Sequence, residues 1–83
     1  MVIQERYNYR PMGVNSTAVI NGQKIAGFVC ITSGTLTITD GTGTVVLNAF
    51  PVNAGSTHPL PIFLNQIGGT AVLAGGASGC LLV

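Results

Sequence analysis

Between residues 35 and 50 the chain reads TLTITDGTGTVVLNAF, two runs of alternating apolar and polar residues that meet at a glycine-rich turn. The pattern predicts a β-hairpin. Leu36 and Ile38 alternate with Thr35, Thr37 and Thr39, the period of a strand with one buried face. At the turn, Asp40-Gly41-Thr42-Gly43, the glycines can take positive φ without a Cβ clash, and the Asp side chain can accept a bond from an amide two residues on. Beyond it Val45 and Leu47 are expected to continue one face, with Thr44, Val46 and Asn48 on the other. The rest of the chain is expected to supply strands that cover the Leu, Ile and Val face.

The flanking segments read as further short strands. Residues 17–20 form one, closed by Asn21-Gly22, a strong two-residue hairpin signal leading into the strand KIAGFVCIT at 24–32. That strand is long and nearly all apolar, so both of its faces are expected to be covered, and Gly27 marks a bulge or a close backbone approach. Residues 51–56 are a loop from which Val52 tucks inward. In the strand 58–64, Pro59 and Pro61 remove two amide donors, which confines it to a sheet edge and protects that edge from further pairing. A strand over 67–74 and a flexible turn over 75–79 lead to Cys80-Leu81-Leu82-Val83, a last strand apolar enough to pair inside a sheet. Phe28, Phe50 and Phe63 read as core. Seven or eight short strands at spacings of about 8–12 residues, with no helical period, give an all-β chain. The expected architecture is a small antiparallel β-sandwich of jelly-roll type over residues 13–83, preceded by an N-terminal arm over residues 1–12.

Charge sets the functional class. Only 6% of the chain is charged, against about 25% in a soluble domain. The charged residues are Glu5, Arg6, Arg10, Lys24 and Asp40, so from Ile25 onward Asp40 stands alone beside one histidine. A free monomer keeps itself soluble with a mixed charged surface, so much of this surface is expected to be covered by other subunits. The first twelve residues hold both tyrosines and three of the five charges; they read either as a first strand of the sheet or as an extension onto a neighbour. Arg6, Tyr7, Tyr9 and Arg10 are the candidate partner-binding residues, since Tyr and Arg dominate interface hot spots. Three basic residues without a cluster cannot displace the counterions of a phosphate backbone, so nucleic acid is not an expected partner. Neither is a membrane: the uncharged stretch 60–83 is broken by Pro61 and five glycines. Glu5 and Arg6 stand where a signal peptide has its apolar core, so no secretory signal is expected.

The chemical inventory is small. His58 is the single imidazole and, with two acids and two thiols in the chain, has no companions at metal-ligand spacing. Cys30 and Cys80, each inside an apolar run, read as free buried thiols, with a disulfide open if their strands are neighbours. Asp40 reads as a turn former, since calcium needs several more oxygen ligands. No catalytic, cofactor-binding or metal-binding residue is expected, no cofactor, and no enzymatic activity.

From Thr32 to the end, the pattern resembles small β-rich virion proteins encoded among bacteriophage structural genes. The features that carry the likeness are Ser33-Gly34-Thr35, the turn Asp40-Gly41, the Val and Leu run at 44–50, Pro59-Leu60-Pro61 and a Gly-rich final hairpin over 75–83. The resemblance implies a subunit that decorates or cements a capsid, or sits at the head-tail junction or tail. It implies a symmetric homo-oligomer, typically a homotrimer, made in the host cytoplasm and located in the virion against the major capsid protein or another virion protein. A small carbohydrate- or receptor-binding sandwich is the alternative, weakened by the absence of Trp as a sugar platform.

Overall fold

The computed structural model of the chain describes residues 9–20 and 22–83. These form eight strands and, among the described residues, no helix: β1 (Tyr9–Met12), β2 (Thr17–Ile20), β3 (Lys24–Thr32), β4 (Gly34–Thr39), β5 (Val45–Val52), β6 (Thr57–Phe63), β7 (Gly69–Ala74) and β8 (Ser78–Leu82). They lie in two four-stranded antiparallel sheets, ordered β1-β8-β3-β6 and β2-β7-β4-β5. Both sheets feed one hydrophobic cluster. Met12, Ile25, Phe28, Leu60 and Leu81 come from the first sheet, and Ile20, Leu36, Ile38, Val52 and Leu73 from the second. Fully burying a side chain of this size contributes about 1.5–3 kcal/mol, so this shared layer holds the molecule together.

The prolines place β6 at an edge of the first sheet, and the apolar last strand, β8, is interior between β1 and β3. Gly27 sits at a register shift in β3, and a Cβ there would stand 2.8 Å from the His58 carbonyl oxygen. Val52 is buried.

Four expectations need correction. Asn21 lies outside the described residues, but β2 and β3 on either side of it do not form the expected hairpin: β2 pairs with β7, whereas β3 pairs with β6 and β8 in the other sheet. Past Gly22 the chain changes layer, and Gln23 is held by the end of β6, its carbonyl accepting from the Leu64 amide. The glycine-rich turn at 75–76 likewise steps between sheets, since β7 and β8 do not share one. Gly75 and Gly76 take φ of +69° and +89°, and the Gly76 amide donates to Asn15 Oδ1 at 2.8 Å, tying this corner to the β1–β2 link. Thirdly, the second arm of the central hairpin does not alternate strictly. Thr39 pairs with Val45, Ile38 with Leu47 and Leu36 with Phe50, so extra residues bulge out twice. Val45 therefore faces solvent while Leu47 packs on the core. Ala49, at φ +47°, completes the second bulge by donating its amide to Thr37 Oγ1 at 3.0 Å. Lastly, Phe63 is not core but 73% exposed, because it ends β6 on the outward side of the edge strand.

Of the first twelve residues, Tyr9–Met12 pairs with β8 from Tyr9↔Leu82 to Met12↔Gly79 and forms an edge of the first sheet. Residues 1–8 lie outside the described part.

Candidate functional site

Among the candidate partner residues, Arg6 and Tyr7 fall outside the described residues. Tyr9 opens β1 in register with Leu82, and Arg10, in register with Leu81, is exposed. The pair thus stands on an edge strand.

Cys30 and His58 are committed to the scaffold. Cys30 is buried, its thiol donates to the Thr32 carbonyl at 3.0 Å, and burial pushes its pKa up, away from the nucleophilic thiolate. Cys80 is half-buried and also a free thiol. Val29 pairs with Cys80 and Cys30 with Gly79, so the two cysteines occupy opposite faces of the sheet. His58 Nε2 accepts the Asn53 amide at 3.3 Å, and its ring stands edge-on to Phe50 with centroids 5.7 Å apart. Here the imidazole acts as a clasp across the β5–β6 corner. No group of three or more His, Cys, Asp or Glu that could hold a metal occurs among the described residues.

Asp40 is built into its turn more deeply than an ordinary surface Asp. One carboxylate oxygen accepts from the Thr42 amide at 2.9 Å, the Thr44 amide at 3.0 Å and the Thr42 hydroxyl at 2.5 Å. The turn is then covered from the side: the Gly41 amide donates to the Gln66 carbonyl, and a Cβ on Gly69 would stand 3.2 Å from Asp40 Cα. Only 4% of the residue remains exposed. The Thr42 hydroxyl chiefly, and then the Thr44, Thr42 and Gly43 amides, hold its carboxyl below the ordinary 3.8 against an opposing push from burial. A depressed pKa means that the unfolded chain takes up this proton first, so the carboxylate's contribution is complete above about pH 4 and disappears as pH falls through the folded-state value. Asp40→Asn is accordingly expected to lower the urea midpoint at about pH 7, and the gap to the parent protein to close as pH falls through the folded-state value. A gap between the two that stayed constant with pH would mean that the charge contributes nothing.

The broad surfaces differ in chemistry. Outward on the second sheet, register brings Thr17, Val72 and Thr37 into one row and Val19, Thr70, Thr39 and Val45 into the next, with Thr35 beyond them. This is a hydroxyl-rich face. Outward on the first sheet, one row is Pro11, Cys80, Val29 and Thr57, and the neighbouring row carries Leu82, Gly27 and Pro59. Sequence reasoning named the charge deficit but missed these faces, because residues far apart in sequence meet only once strand order is known. Searched against protein-family models, curated proteins and solved structures, the chain has no significant match.

Proposed function

We propose that the chain is a non-enzymatic virion structural subunit, a capsid decoration or cement protein that works as a symmetric oligomer. One observation carries this reading. From Ile25 to Val83 the only charged side chain is Asp40, and Asp40 is enclosed in its own turn, so this part of the molecule presents no charged side chain to solvent. Thr, Val, Pro and Leu cover its outer faces instead. Such a surface suits contact with other protein, which it stabilises at about 25 cal/mol per Å² of apolar area before association costs. The two strand orders support a jelly-roll reading, in which every consecutive pair except β4 and β5 is split between the sheets. Three copies about a threefold axis is the arrangement that the sequence resemblance implies, with Arg10 on the β1 edge free to engage the shell.

Light scattering over a dilution series tests the reading. The expected result is a stable multiple of 8.5 kDa, three above all. A monomer at every concentration would overturn it and bring the small binding module forward.

A further inference from the structure

We propose that residues 1–8 dock back onto the outer face of their own first sheet, at the corner where β3 begins and β6 ends, with Glu5 at Lys24 and Ile3 against Phe63. Among the described residues this corner is incomplete. β8 ends at Leu82, in register with Gly27, so Lys24 and Ile25 pair with β6 on one side and have no described strand on the other. Lys24 and Phe63 are cross-strand neighbours there, both exposed, Phe63 at 73%. Exposed Pro61 and half-buried Leu82 continue the apolar surface on the same face.

Three observations select residues 1–8 as the occupant. The first is reach. The β1–β8 ladder begins at Tyr9↔Leu82, and Leu82 is in register with Gly27, so these three positions share one row. Lys24 lies three residues along β3 from that row and two strands across from β1, a separation of about 14 Å at about 3.3 Å per residue and about 4.8 Å per strand. Four extended residues, from Tyr9 back to Glu5, cover about 13 Å, and the side chains close the remainder. Ile3, two residues further on, then reaches β6. The second is charge. The acids of the chain are Glu5 and Asp40, and Asp40 is enclosed in its turn, so Glu5 is the carboxylate this chain can offer Lys24. Arg10 is in register with buried Leu81 and alternates with buried Met12, on the inner side of β1, whereas Lys24 stands on the outer face. An exposed ion pair adds little strength, so its part here is to set register. The third is the apolar match. Pro11 lies on the outer face, so in an extended run the alternate residues Ile3, Glu5 and Tyr7 share its side and Arg6 takes the other. Ile3 covers Phe63 without bringing a second charge to it. A segment tethered this close to its site meets it at about millimolar effective concentration, an advantage no separate partner has.

Nuclear magnetic resonance of the full chain tests the docking, with circular dichroism to establish folding of each variant. Nuclear Overhauser contacts are expected between Ile3 and the Phe63 ring. Glu5→Lys is expected to weaken them at least twofold, and the charge swap, Glu5→Lys with Lys24→Glu, to restore them. Absence of the contacts from the parent protein overturns the proposal, as does a Glu5→Lys variant that keeps them in full or a folded swap that does not recover them. Should Lys24→Glu fail to fold, the parent protein and Glu5→Lys alone decide. Mixing isotope-labelled with unlabelled chains separates the remaining occupant. Contacts within one chain are expected; contacts found only between chains would overturn docking in place and assign the corner to the same segment of a neighbouring copy. None of these outcomes depends on the mass read by light scattering, so the docking and the assembly can fail separately.

Discussion

Replacing Phe28 by alanine is expected to cost about 3–5 kcal/mol and to lower the melting temperature by about 12–40 °C, enough to leave much of the protein unfolded near body temperature. Phe28 is fully buried on β3, an interior strand, in register with Leu81 on one side and His58 on the other. Its ring also lies against the backbone at Gly79, so the cavity left behind would be lined by strands whose positions the ladder already fixes. A domain of 83 residues has about 4–12 kcal/mol of total stability, and one such side chain is a large share of it. Phe63 provides the contrast. At 73% exposure, Phe63→Ala is expected to shift stability by less than about 0.5 kcal/mol. Urea denaturation followed by circular dichroism measures both, and a Phe28→Ala loss below about 1 kcal/mol would show that the two sheets close over the gap.

The central hairpin was legible because everything that defines it is local. Leu36 and Ile38 alternate with threonines, and Asp40 closes the turn with its own side chain, so β4 and β5 pair as read. Asn21-Gly22 and Gly75-Gly76 carry the same local chemistry in the sequence, yet the strands on either side of each lie in different sheets. A tight turn reverses the chain whether the next strand pairs with the last one or packs beneath it in the other sheet. What decides is the rest of the layer: β7 occupies the place beside β2, and β3 already has β6 and β8 as neighbours. The Pro59-Pro61 edge was readable, since a missing amide is a property of the residue itself. The bulges in β5 were not, because one needs Thr37 Oγ1 opposite the Ala49 amide, twelve residues away.

The functional surface divides along the same line. Scarcity of charge is a composition fact and was visible at once. Its consequence depends on three-dimensional placement, for Asp40 could have stood on the surface and instead lies enclosed by Thr42, Thr44 and the β6–β7 loop. Likewise, Pro11, Cys80, Val29 and Thr57 form one row only because β8 threads between β1 and β3. Tyr9 and Arg10 are candidates by residue type alone, and the structure puts them on the β1 edge, Tyr9 in register with Leu82 and Arg10 with Leu81.

The second large effect is expected at Gly79, where the interior pairing of β8 leaves no room for a side chain. A Cβ there would collide with the Val29 carbonyl oxygen and stand 2.6 Å from Phe28 Cζ. The ring could turn aside, but the carbonyl belongs to the β3 backbone and moves only if the two strands part. Overpacking of this kind costs about 1–3 kcal/mol when a side chain can give, and more when the backbone must move, so Gly79→Ala is expected to lose at least about 2 kcal/mol. The two contacts can be separated. If the ring were the obstacle, combining Gly79→Ala with Phe28→Leu would recover most of the loss. Because the Val29 carbonyl remains in place, the double variant is expected to be less stable than Phe28→Leu alone by nearly the full Gly79→Ala penalty. Recovery of more than half of that penalty in a denaturation cycle would show instead that β8 has slack against β3, and that the first sheet tolerates a wider strand spacing than its glycine implies.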